Sequence, residues 1–124
     1  MIDIDNFKMV NDMFGHSIGD ITLKHFVAIS YGFLKSYNIK MGRWGGDEFV
    51  AVCYDINASE LMNIAENMRV KISEAKFDTV GSITCSIGIA EISKNDKVKE
   101  VFERVDKAMY SAKSSGRNCV KVLF

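Results

Sequence analysis

The sequence predicts an α+β fold of the split βαβ, ferredoxin-like kind, a βαββαβ core with an additional αβ at the end. Three observations carry this. Two stretches alternate apolar and polar residues as half-buried strands do, and three others place apolar residues on one helical face. Between the first two helical stretches, Gly45-Gly46 separates two strand-like runs, which reads as a tight hairpin.

The chain opens on Met1 to Asp5, with Ile2 and Ile4 on one strand face and Asp3 and Asp5 on the other. Asn6 to Gly19 is polar and punctuated by glycine, and is expected to be mostly a connector. Asp20 stands where an N-cap belongs, and Leu23, Phe26, Val27, Ser30 and Leu34 follow at helical spacing to about Ser36. Ile39 to Trp44 and Phe49 to Tyr54 form the hairpin arms. Asn57 and Glu60 resemble a capping box for a second helix, whose stripe is Leu61, Ile64, Ala65, Met68 and Ile72 and which ends near Lys76. Ser82 to Ala90 alternates strictly, with Ile83, Cys85, Ile87 and Ile89 on one face. The other face, Thr84, Ser86, Gly88 and Ala90, is small and expected outward, with Gly88 open to close packing. A third helix is predicted from Val98 to Ser115 on Val98, Val101, Phe102, Val105, Ala108, Met109 and Ala112, stopped by Gly116. Cys119 to Phe124 forms the last strand.

At 124 residues the chain is expected to be one domain, residues 1–124, large enough for one core. Sixteen basic residues balance sixteen acidic ones, so no bulk charge draws it to nucleic acid or membrane. No apolar run approaches the roughly 20 residues of a membrane span, and Met1-Ile2-Asp3 is no signal peptide, so a cytoplasmic location is expected. Cys53, Cys85 and Cys119 are odd in number and lie in apolar runs, the pattern of reduced core thiols.

In the predicted topology the first strand lies antiparallel beside the strand that follows Gly46, which brings Asp3 and Asp5 close to Asp47 and Glu48. Converging carboxylates without His or Cys form a hard-oxygen site suited to Mg2+ or Mn2+. Magnesium held by one or two carboxylates completes its shell with water and phosphate oxygens, so a nucleotide is expected against the bare Gly45-Gly46 backbone. The same residues also fit a solvated hairpin tip. Lys113 and Arg117 are candidates for phosphate oxygens, with a solvated helix end as the other reading. An EF-hand fails because Phe7 and Lys8 occupy positions five and six, where the loop requires a ligand and Gly.

Gly45-Gly46-Asp47-Glu48-Phe49 resembles the signature of the GGDEF domain, the diguanylate cyclase that joins two GTP molecules into cyclic di-GMP. The resemblance extends through Asp3-Ile4-Asp5-Asn6-Phe7-Lys8, Asn11-Asp12, Gly15-His16, Gly19-Asp20, Arg43, Ser86-Ile87-Gly88, Asp106 to Tyr110, Ala112-Lys113 and Gly116-Arg117-Asn118. It implies a polymerase-palm-like fold. It implies that Asp3, Asp47 and the backbone carbonyl of Ile4 hold the metal, and that Asn11 and Asp20 bind the guanine edge. Phe7 and Lys8 would offer backbone N–H groups to the terminal phosphates, Gly46 would lie against the substrate, and Lys113 and Arg117 would add charge. Glu48 would act at the ribose 3′-hydroxyl beside Asp47, with the metal neutralising phosphate charge. Asp5 is assigned a structural role, His16 loop bracing and Trp44 packing. One half-site per domain implies a homodimer, driven by an attached sensory or receiver domain. The alternative is a catalytically inactive GTP-binding domain that regulates a partner or an attached phosphodiesterase.

The sequence departs from the family twice. The usual N-terminal helix and the start of the first strand are lacking, so Met1 is expected to be internal to a longer protein. Where the family carries an inhibitory Arg-x-x-Asp product site, this chain has Ser36-Tyr37-Asn38-Ile39. Cyclic di-GMP should therefore not inhibit through this site; tight product binding mapped by NMR to Ser36 and Ile39 would overturn that expectation.

Overall fold

The structure, a computed structural model, describes residues 1–123. In chain order its elements are β1 (Ile2–Ile4), α1 (Phe7–Phe14), α2 (His16–Lys35), β2 (Lys40–Gly45), β3 (Glu48–Val52), α3 (Ala58–Glu74), β4 (Cys85–Ala90), α4 (Val98–Ser114) and β5 (Val120–Leu123). The strands form one sheet in the order β2-β3-β1-β4-β5. β1 pairs antiparallel with both β3 and β4, β2 and β3 form the hairpin, and β5 joins parallel to β4 after the α4 crossover. This is the predicted ferredoxin-like α+β core with its added αβ.

The two isoleucines of β1 set which face is buried. Ile2 and Ile4 sit in the core with Phe49, Ile87 and Ile89, against Leu23, Phe26 and Leu34 of α2 and Ile64, Met68 and Ile72 of α3. Phe26 and Phe49 lie with ring centroids 5.4 Å apart, a tilted pair worth about 0.5–1.5 kcal/mol beyond its burial. α3 begins as its sequence indicates, with Asn57 Oδ1 accepting from the Glu60 amide at 2.9 Å.

Several elements differ from expectation. The connector after β1 is largely helical: α1 occupies Phe7–Phe14 behind Asn6, a left-handed residue whose side chain does not cap the helix. α2 begins at His16 after Gly15, so Asp20 lies inside the helix and caps nothing. β4 starts at Cys85, later than the alternation suggests, and Phe77 and Gly81 form an isolated bridge before it. Its small-residue face does not point outward. Ser86 and Gly88 are buried beneath α4, whose inner residues are Ala108, Met109 and Ala112, while Val98 at the start of α4 is exposed. Of the cysteines only Cys85 is fully buried, and burial pushes its thiol up to about 12; Cys53 and Cys119 are half-buried, and all three are free. Trp44 stacks on Phe102 at 4.7 Å between centroids yet stays 60% exposed. The Phe124 end of the predicted last strand lies outside the described residues.

Gly88 sets how closely α4 approaches. A Cβ there would stand 2.5 Å from the Met109 amide nitrogen and 2.8 Å from the Val105 carbonyl oxygen, both backbone atoms that cannot turn aside. Gly88→Ala should therefore destabilise the fold by about 1–3 kcal/mol, read as a lower urea midpoint at unchanged slope.

Candidate active site

With Ile2 and Ile4 turned into the core, the pleat sends Asp3 and Asp5 to the opposite face. There Asp3 pairs across the ladder with Glu48, and the Ile4 amide donates to the Asp47 carbonyl at 3.2 Å. The hairpin that presents these acids is shaped by its own residues. Gly46 takes φ +54, the register slips between Arg43 and Gly45, and Arg43 Nε donates to the Gly46 carbonyl at 2.8 Å. That Arg43 clasp was not foreseen, although the arginine three residues before the turn was its signal.

Asp3 is buried at 5% exposure, and its Oδ2 accepts from Lys113 Nζ at 2.8 Å. Burial pushes its carboxyl up to about 6. The Lys113 hydrogen bond opposes that rise, while Asp47 and Glu48 add to it. Lys113 reaches this point from the last turn of α4, held close by the Gly88 contact. Asp3, the backbone of Ile4, Gly46, Asp47, Glu48 and Lys113 thus meet in one place.

Asp5, on the same face, has a different environment. Its Oδ1 accepts from Ser86 Oγ at 2.7 Å, and its Oδ2 from Thr84 Oγ1 at 2.7 Å and the Asn118 amide at 3.0 Å. It ties β1 to β4 and to the turn after α4, where Gly116, Arg117 and Asn118 all have positive φ. Arg69 Nη1 braces that turn through Asn118 Oδ1 at 2.8 Å. Arg117 is exposed on this turn. Thr84 and Ser86 were missed as partners of Asp5, though two hydroxyl residues alternating on one strand face were the clue.

Phe7 and Lys8 form the first turn of α1, whose leading N–H groups have no preceding helical carbonyl and no side-chain cap. Asn11, on α1, lies against Gly19 of α2, next in sequence to Asp20. Asp20 lines a cleft of about 540 Å³ between α2 and the hairpin, with Leu23, Val27, Met41, Arg43 and Phe49 around it. His16 opens α2 and is exposed.

The donor set fits a hard divalent cation. A buried carboxylate crowded by two more acids and relieved by a single ammonium is stabilised by added positive charge. Among the described residues no group of three or more His, Cys, Asp or Glu side chains is arranged to hold a metal ion. No described helix is long and apolar enough to cross a membrane.

Comparison with known proteins identifies the family. Residues 1–119 match the family model described as diguanylate cyclase, GGDEF domain, and the chain belongs to the GGDEF family. It is 38% identical over 123 residues to diguanylate cyclase DgcS of Shewanella oneidensis, covering 98% of this chain and 40% of that protein. It is 36% identical over 126 residues to the response regulator PleD of Caulobacter vibrioides, covering 97% of this chain and 28% of that protein. The chain therefore spans well under half the length of these relatives. The crystal structure of the coiled coil and GGDEF domain of DgcB from Caulobacter crescentus in complex with c-di-GMP superposes with a TM-score of 0.89 at 34% identity, covering 98% of this chain and 66% of that one.

The raised Asp3 carboxyl makes stability depend on pH. Between its ordinary 3.8 and about 6, the folded chain holds a proton at Asp3 that the unfolded chain releases, so stability falls as pH rises through this window. Asp3→Asn lacks this dependence. In chelator, the variant should gain on the parent from pH 4 to 6, by no more than about 3 kcal/mol, and then hold level, as measured by urea unfolding at each pH.

Proposed function

We propose that this domain is a diguanylate cyclase half-site that condenses two GTP molecules into cyclic di-GMP and pyrophosphate. The observation that carries the reading is the meeting of Asp3, Asp47 and Glu48 beside the Gly46 turn with Lys113 among them. Asp3, Asp47 and the Ile4 carbonyl would hold Mg2+ or Mn2+. When bound, the cation neutralises charge on phosphate oxygens.

The chain's own residues perform the remaining tasks. The uncapped first turn of α1 offers the Phe7 and Lys8 N–H groups to terminal phosphates, and Lys113 and Arg117 add positive charge. Gly46, lacking a side chain, leaves backbone for the nucleotide to approach. Asn11 and Asp20 read guanine: a carboxylate accepts from its N1–H and 2-amino groups, which adenine cannot offer in that pattern. Glu48 takes the proton of the 3′-hydroxyl as its oxygen attacks the α-phosphorus of the facing GTP. That phosphorus–oxygen bond forms as the bond to pyrophosphate breaks, and the reciprocal attack closes the ring.

Each domain binds one GTP, so two copies must face each other, and catalysis belongs to a homodimer. The resemblance to PleD, a response regulator more than three times the matched length, supports control by an attached receiver or sensory domain. GTP as substrate places the reaction in the cytoplasm.

Incubation with GTP and Mg2+ followed by nucleotide separation should yield cyclic di-GMP. Asp47→Ala should lower the rate at least about a hundredfold, since a lost metal ligand removes several kcal/mol of charge stabilisation. GTP bound but unchanged in a demonstrated dimer would instead identify a catalytically inactive regulatory domain.

A further inference from the structure

Gly19 poses a problem that the proposed function does not answer by itself. It lies buried inside α2 with helical backbone, so no turn or positive φ requires a glycine there. A glycine in a helix interior costs about 1 kcal/mol relative to alanine. Gly32, the second glycine within α2, has open space where its Cβ would be. Gly19 does not: an added Cβ would stand 1.7 Å from Asn11 Oδ1 and 2.9 Å from its Cγ, with Nδ2 at 3.6 Å. The carboxamide of Asn11 occupies the space that any other residue would fill.

The backbone around this contact is fixed. The Gly15 amide donates to the Asn11 carbonyl at 2.9 Å, and the Gly19 amide donates to the Gly15 carbonyl at 3.1 Å. α1 and α2 therefore meet at a defined distance across Gly15. Asn11 is half-buried there, and among the described residues its carboxamide makes no side-chain hydrogen bond, so its hydrogen-bonding capacity is unused by the fold.

We propose that Gly19 is a positioning residue for base recognition: its bare Cα is the seat that holds the Asn11 carboxamide against α2, so that the carboxamide presents a rigid edge to guanine. The inference rests on the reading of Asn11 as a guanine contact. Physically, a seated carboxamide loses its rotamer freedom in the fold and not on binding, which strengthens the hydrogen bond it then makes. A Cβ at position 19 would displace only the end of a flexible side chain. The fold would keep its backbone while the recognition edge moved.

The two effects of Gly19→Ala therefore have opposite signs. Helix propensity keeps or raises the thermal midpoint, whereas the lost seat weakens guanine binding. The probes are α,β-methylene GTP and α,β-methylene ATP with Mg2+, titrated calorimetrically into the whole chain, the parent and its variants. Asn11→Ala and Gly19→Ala should each weaken the GTP analogue about tenfold, the size of one hydrogen bond. Each should leave the ATP analogue unchanged. The double variant should be no weaker than either single one, and Gly32→Ala should match the parent in affinity.

An Asn11→Ala variant that binds as the parent does overturns the guanine reading, and the seat with it. Full loss in Asn11→Ala with parental affinity in Gly19→Ala overturns the seat alone. Additive losses in the double variant, or a lowered midpoint in Gly19→Ala, also overturn the seat, since Gly19 would then act through packing and not through Asn11.

Discussion

The register of β1 against β3 is the constraint on which both the core and the site depend. Ile2 and Ile4 face the core, and the two-residue period of a strand then leaves Asp3 on the other face, opposite Glu48. A slip of one residue would drive Asp3 into the apolar core and turn both isoleucines out. The Ile4 amide, donating to the Asp47 carbonyl, fastens this register at the hairpin itself. The strongest packing preference in the strand thus fixes the position of its acidic residue, and the geometry of the site follows from the burial of two apolar neighbours.

The two faces of the sheet divide the remaining work. α2 and α3 seal one face over the apolar core. On the other, α4 lies close on β4 because Gly88 has no side chain, and its last turn carries Lys113 to Asp3. The hairpin tip stays exposed at Gly45 and Gly46, where a bulky ligand can approach backbone directly. Arg43 provides the rigidity that two glycines cannot, by clasping the Gly46 carbonyl. Flexibility of residue type is thereby combined with a fixed turn.

Much of this was legible in the sequence, for definite reasons. The stripes of α2 and α3, the alternation in β1 and β4 and the glycine pair are strong local signals that tertiary packing reinforced. α1 escaped because its start, Asn6, uses a left-handed backbone and no capping side chain, so the usual N-terminal signature is absent. The start of α2 was misplaced because Gly19 reads as a helix breaker and Asp20 as a cap, whereas the glycine serves a contact with Asn11 from another helix. The small face of β4 was misjudged for a related reason. Small residues suit either solvent or a closely packed helix, and only the path of α4 decides between them.

Asp3 and Asp5 show how environment separates two acids that sequence pattern treats alike. Both are buried on the same face of the same strand region. Asp5 receives two hydroxyl donors and a backbone amide, so its oxygens are satisfied by neutral partners and the fold is complete around it. Asp3 has one ammonium, at the end of a long side chain, and two acidic neighbours whose charge opposes its own. Desolvation and like charge together oppose the ionised form of Asp3. The hydrogen bonds of Asp5 from Ser86, Thr84 and the Asn118 amide account for its structural role.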